Sequence, residues 1–223
     1  MLSLSGVTKS YNKVNVLSGV ELNLGRGQIA ALVGPSGSGK STLLHLIAGL
    51  LKPDSGTISW GGRILYDSHI NVPPWKRRVG LVFQDLALWP HLSVMDHLNY
   101  VCEANPHVSK GMRKEYILSI LEKIQLAEVG HRFPHQLSGG QQQRLAIARV
   151  LIMSPEIVLF DEALNQLDQE LAKNIWDTVI YYQKKLNWTL LYVTHDIKHA
   201  EQQADYIFKI DAGKVVNKIM AVD

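Results

Sequence analysis

Ile29-Ala30-Ala31-Leu32-Val33-Gly34-Pro35-Ser36-Gly37-Ser38-Gly39-Lys40-Ser41-Thr42 decides how this chain is read. Five uninterrupted apolar residues mark a strand buried on both faces. They lead directly into a segment with four residues between Gly34 and Gly39 and then Lys-Ser, the spacing of a phosphate-binding loop. The glycines let the backbone curl so that successive N–H groups aim at phosphate oxygens, and the helix that follows adds its positive N-terminus. Lys40 is expected to reach the β- and γ-phosphates as a point charge, and Ser41 to offer its hydroxyl to Mg²⁺. Nucleotide contacts are expected along Gly34–Thr42, with a helix from about Lys40 to Leu50 that stops near Gly49 and Pro53.

A second segment, Leu137-Ser138-Gly139-Gly140-Gln141, opens a different helix. Ser138 and Gln141 form a capping box by spacing alone, which by itself only starts a helix that Pro155 ends. Two glycines in the first turn cost helix stability. They make sense where a ligand must approach the backbone closely. One phosphate loop suffices to hold a nucleotide, so a second phosphate-directed helix start implies that two surfaces, from two copies of the chain, grip each one.

Outward from these segments, Val79–Phe83, Ile157–Phe160 and Thr189–Val193 read as further buried strands, with a helix over about Gln169–Leu186. Strand and helix alternating in this way predict an α/β fold with a mainly parallel sheet. Leu2–Leu24 reads as short antiparallel strands turning at Asn12-Lys13 and Ser18-Gly19. Gly61-Gly62 signals a two-residue hairpin, and Tyr206–Ile219 a closing hairpin through Asp211-Ala212-Gly213. Ser93 to Ser154 is helical, an inserted lobe. Phe160-Asp161-Glu162 places two carboxylates at the sheet's C-terminal edge, where ligands sit in such sheets. Asp161 suits Mg²⁺, through water, and Glu162 suits a general base. A strand ending in Asp-Glu is common in isolation, and its pairing with the glycine loop is what favours chemistry.

Of 223 residues, 46% are apolar and 19% charged, the balance of a globular protein with a full core. Net charge is +3, and the tight basic clusters, Lys76-Arg77-Arg78 and Lys184-Lys185, read as solvated faces. Charge therefore gives no case for a nucleic-acid partner. Cys102 is the single cysteine, so no internal disulfide forms. No stretch is long and apolar enough to span a membrane, and Met1–Tyr11 lacks the layout of a signal peptide. A soluble protein is expected, which reaches a membrane only through a partner.

With these residues in place, the chain resembles the ATP-binding subunit of ATP-binding-cassette transporters over essentially its whole length. Gly34–Ser41, Leu137–Gln141 and Leu159–Glu162 carry the resemblance. It implies a P-loop NTPase (RecA-like) core with an N-terminal antiparallel β layer and an inserted helical subdomain. The whole forms a single ATPase domain over 1–223, with 1–84 and 155–223 as the core and about 85–154 as the lobe. Tyr11 then matches the aromatic that stacks on adenine, although a tyrosine read alone is more often a core or edge-strand residue. Gln84 matches the glutamine that contacts Mg²⁺ and the attacking water, and His195 the switch histidine near the γ-phosphate. The cofactors implied are ATP and Mg²⁺. The implied partners are integral-membrane permease subunits, a second copy of the chain in a head-to-tail dimer, and, indirectly, a solute-binding protein. The implied location is the cytoplasmic face of the cell membrane.

One departure stands out. Where the family often shows Pro and then Ser-Ala-Leu-Asp, this chain has Ala163-Leu164-Asn165-Gln166-Leu167-Asp168. Asp85–Val94, with Trp89, looks like the segment that docks a permease helix in importers of the maltose, molybdate and sulfate type, or it is lobe core. The chain ends at Asp223, soon after the closing hairpin, which reads as lacking the C-terminal regulatory domain of many importers. ATPases of this length also serve lipoprotein-release and export machines. A non-transport ATPase acting on DNA or ribosomes, and a module that binds ATP without hydrolysing it, complete the alternatives.

Overall fold

Asn12 and Lys13 both take left-handed φ values, 48° and 68°, the geometry that matches the twist of two paired strands. They join β1 (Leu2–Tyr11) to β2 (Val14–Leu24). Ser18-Gly19, expected as a turn, instead lies within β2. Val7 pairs with Val20 and Lys9 with Leu17, so one extra residue is accommodated there as a bulge, with Gly19 at φ 69°. The bulge lets Leu17 and Val20, three apart in sequence, both be buried.

The structure is a computed structural model that describes residues 1–105, 107–162 and 169–220, with backbone alone at 169–171 and 217–220. The departure at Asn165-Gln166, with its neighbours 163–168, lies outside the described residues. After β2 come β3 (Ile29–Val33), α1 (Lys40–Ala48), β4 (Ser55–Trp60), β5 (Arg63–Tyr66) and β6 (Val79–Val82). Then follow α2 (Val94–Cys102), α3 (Arg113–Lys123), α4 (Gly139–Met153), β7 (Ile157–Asp161), α5 (Gln169–Leu186), β8 (Thr189–Val193), α6 (Ile197–Gln203), β9 (Tyr206–Asp211) and β10 (Lys214–Met220). One sheet runs β2-β1-β4-β5 and the other β10-β9-β3-β8-β7-β6. Every residue of β3, β7 and β8 is buried, as continuous apolar runs require. β3 pairs parallel with β8 and β9, and β7 with β8. Gly61-Gly62 and Ala212-Gly213 are both two-residue turns with positive φ.

Two compact units emerge. The first comprises Met1–Leu81, Glu156–Asp161 and Asn187–Asp223. It holds both sheets, and Leu43, Leu44 and Ile47 of α1 share one apolar cluster with Leu4, Leu22 and Ile58 of the antiparallel layer. The second comprises Val82–Pro155 and Glu162–Leu186, with α2 to α5. Its core is built from residues such as Leu98, Ile120 and Leu145. Among the described residues no helix is long and apolar enough to cross a membrane.

In the basic run Lys76-Arg77-Arg78 the outer two are solvated, as expected, but the middle one is not. Arg77 is 1% exposed. Its Nε donates to Val72 O at 2.7 Å and its Nη1 to Leu46 O and Ile47 O at 2.8 and 3.0 Å. Nη2 reaches Asn71 Oδ1 at 3.0 Å. Leu46 and Ile47 lie in the last turn of α1, where carbonyls lack helical partners and the helix dipole is negative. Burial lowers the guanidinium pKa to about 10, which leaves it charged at neutral pH. Gly49 ends α1 at φ 81°, and a Cβ there would lie 2.5 Å from Arg77 Nε. Composition cannot say which of three consecutive cations turns inward, and only the position of the helix end decides it.

Arg77→Met should cost about 3 kcal/mol in a urea titration, because buried carbonyls lose their donors. Lys76→Met, on an exposed side chain, should stay within about 0.5 kcal/mol. Equal effects would refute the strut assigned to Arg77.

Candidate functional site

β3 delivers the chain into a loop that only glycine can close. A Cβ on Gly34 would stand 2.1 Å from the backbone oxygen of Ile210, on β9. One on Gly39, at φ 103°, would stand 2.6 Å from Leu17 Cδ2 and 2.9 Å from Val16 O, on β2. The loop is thus wedged between the two sheets. Gly37 differs: its φ is 77°, but a Cβ would meet nothing within 4 Å. Pro35, Ser36 and Gly37 are exposed at the tip, while Ser38, Gly39 and Lys40 are buried.

Lys40 is 5% exposed. Its Nζ donates to Gly34 O and Pro35 O at 2.9 and 2.8 Å, so the loop folds around its own cation and leaves a concentrated positive charge within. Among the described residues, Ser38 Oγ is buried without a hydrogen-bond partner. An orphaned hydroxyl beside a caged ammonium is what a phosphate oxygen would complete. Ser41 and Thr42, both half-buried, occupy the first turn of α1.

Ser41 Oγ donates to Asp161 Oδ1 at 3.0 Å. Asp161 ends β7 and is 3% exposed. A hydroxyl and a carboxylate oxygen side by side are the hard donors Mg²⁺ selects, so these residues fit that ion. Glu162 follows at φ 52°, a left-handed value that non-glycine residues hold at a cost of about 1 to 3 kcal/mol. Such strain collects where a side chain must be aimed.

The other expected residues fall as follows. Tyr11 lies at the tip of the first hairpin, 42% exposed, with Lys9 Nζ 5.6 Å from its ring centre. His195 is exposed in the turn between β8 and α6, flanked by Thr194 and by Asp196, whose carboxylate caps α6 by accepting from His199 N at 2.9 Å. Gln84, in the second unit, is exposed in the turn after β6. Ser138 caps α4: its Oγ accepts from Gln141 N at 3.3 Å, and Gln141 Oε1 accepts from Ser138 N at 2.9 Å. Ser138 and Gly139 are exposed, Gly140 and Gln141 half-buried. Among the described residues, a Cβ on Gly139 would meet nothing within 4 Å, so none of them demands that glycine. Lys40, Ser41 and Asp161 are thereby brought together on one unit, while Ser138–Gln141 opens on the other. Sequence reasoning missed the two glycine wedges, since Val16, Leu17 and Ile210 carry no motif.

The profile of the family described as "ABC transporter" matches residues 17–165. The chain is 39% identical over 220 residues to an Fe(3+) ions import ATP-binding protein of Mannheimia succiniciproducens, covering 99% of this chain and 61% of that protein. It is 41% identical over 214 residues to the maltose/maltodextrin import ATP-binding protein of the same organism, covering 96% and 56%. The chain thus spans roughly three fifths of the length of the curated relatives it matches. Among solved structures, the dimeric bacterial ABC transporter cassette MJ0796 matches at TM-score 0.88 and 32% identity, covering both chains fully. A dimer of the same cassette in a post-hydrolysis state, bound to ADP and Pi, matches at TM-score 0.87, also at 32% identity over both full chains. The fold is therefore that of an ABC ATPase, a P-loop NTPase core.

Gly34→Ala should lower the melting temperature by roughly 10 °C, because the Ile210 carbonyl cannot yield, and Gly37→Ala by roughly 3 °C, from strain alone. Scanning fluorimetry of both variants would contradict the wedge if the two shifts were alike.

Proposed function

The chain belongs to the ABC transporter family, and from that premise we propose that it binds and hydrolyses ATP to power substrate translocation by an importer. The observation that carries this reading is the Lys40 cage beside the Ser41–Asp161 pair. In this mechanism the loop amides of Gly34–Thr42 and the Lys40 ammonium hold the β- and γ-phosphates, and Tyr11 stacks on adenine. Ser41, Asp161 and Gln84 would hold Mg²⁺, which when bound would neutralise charge on the β- and γ-phosphates. Glu162 orients a water and takes its proton as the oxygen attacks the γ-phosphorus. The bond to the bridging oxygen breaks, giving ADP and inorganic phosphate. His195 stands by the γ-phosphate.

Ser138, Gly139, Gly140 and Gln141 serve the nucleotide of a second copy, through their exposed helix N-terminus. Closure of that head-to-tail dimer on two ATP molecules moves the permease subunits, and hydrolysis reopens it. The dimeric cassettes support the pairing, and the import names of relatives for Fe(3+) and maltose support the direction. The protein sits on the cytoplasmic face of the membrane, bound to its permease, whose subunits determine the cargo. A solute-binding protein acts indirectly, and nucleic acid is not a partner.

Glu162→Gln should reduce phosphate release by roughly a hundredfold or more while leaving ATP affinity within about twofold. Sedimentation of that variant with ATP and Mg²⁺ should show dimers. Normal turnover would remove Glu162 from the role of base, and protomers at saturating nucleotide would remove the shared site.

A further inference from the structure

The turn that follows Gln84 is braced by the helices beside it. Leu86 and Ala87 hold left-handed φ values, 62° and 43°, which cost non-glycine residues about 1 kcal/mol or more each and persist only where the surroundings offset that cost. Their carbonyls accept from Arg149 Nη1, on α4, at 3.4 and 2.7 Å. Two residues on, Trp89 N donates to His97 Nε2, on α2, at 2.9 Å. His97 is fully buried, and its Nδ1 lies 2.8 Å from Ser93 O.

Those two contacts allow one protonation state. A backbone N–H only donates, so Nε2 is bare, and a carbonyl only accepts, so Nδ1 carries the hydrogen. An imidazolium, with hydrogens on both nitrogens, would meet the Trp89 amide donor to donor. One effect favours the cation: the Trp89 ring stacks on His97 at 5.3 Å between centroids, and a charge over an indole gains about 0.5 to 2 kcal/mol. The Arg149 guanidinium already lies 4.5 Å from the centre of that ring, however, so a second cation would be set beside the first, away from water. The charged groups facing His97 are Arg149 on α4, His91 in the segment and Asp96 on α2. Burial, then Arg149 and His91, hold the ring below its ordinary 6.5, against the Ser93 carbonyl and Asp96.

We propose that His97 is a positioning residue that latches the segment Asp85–Leu92 while its imidazole is neutral. Protonation of Nε2 frees the Trp89 amide and lets the strained Leu86-Ala87 turn relax. The backbone just beyond Gln84 then changes its path with pH, through a group that touches neither nucleotide nor metal ligand.

Long-range ¹H–¹⁵N correlation of the His97 ring in the whole protein should show the proton on Nδ1 at pH 7.5 and titration below 6.5. The hydrogen-exchange protection factor of the Trp89 amide should fall by roughly tenfold or more between pH 7.5 and 5.5. In His97→Gln, which keeps an acceptor but does not titrate, it should stay level. The folded ring is the harder one to protonate, so its stabilisation is complete above about 6.5 and is lost as pH falls through the folded value. His199, also lowered by burial, adds stability of the same sign, so His97→Gln should remove only part of the acid sensitivity. A proton found on Nε2, titration at or above 6.5, or an unchanged fall in His97→Gln overturns the latch. Should that variant not fold, the ring spectra of the unaltered protein decide alone.

Discussion

Two glycines with no room for a side chain set the terms for this molecule. Gly34 abuts a carbonyl of β9 and Gly39 abuts β2, so the phosphate loop is a wedge driven between the antiparallel layer and the parallel sheet. Its shape is fixed by backbone on both sides, before any ligand arrives. Lys40 then binds the loop's own carbonyls, and the resulting charge is preorganised at the start of α1. The Ser41–Asp161 bond extends that order to β7. The geometry of the phosphate loop is a by-product of packing between two sheets.

The far end of α1 follows the same logic with the opposite sign. Its N-terminus gathers positive potential for phosphate, and its C-terminus is met by a guanidinium whose donors are spent on carbonyls. Both ends of a nine-residue helix are thus fixed, one by a loop and one by a side chain. A helix so short has little stability of its own. Tertiary contacts at its termini, together with its buried leucines, hold it in register with the sheet.

Much of this was legible in advance because it rests on local rules. Apolar runs gave β3, β7 and β8, paired turn residues gave three hairpins, and the Ser138–Gln141 spacing gave the start of α4. What was not legible depends on partners distant in sequence. Ser18-Gly19 carries turn chemistry, yet long-range pairing with β1 turns it into a bulge. Arg77 is indistinguishable from its neighbours until α1 ends beside it. His97 sits on a helix with nothing to mark it, and its partner is a backbone amide. Of the residues expected at the site, the structure bonds Ser41 to Asp161 and Lys40 to its own loop on one unit, and places Gln84 and Ser138–Gln141 on the other.

Gly34 rests on Ile210, and Ser18 N donates to the carbonyl of Gly213, at the turn of the last hairpin. The Ile29 amide, just before the loop, is bound by Asp205, 176 positions later. During synthesis at about 5 to 20 residues per second, that interval lasts roughly ten to thirty-five seconds. Throughout it, a nascent chain already displays the loop's residues while the strand that shapes them has yet to leave the ribosome. The emerging polypeptide therefore cannot use nucleotide as an early template, and ligand binding comes after this unit has closed.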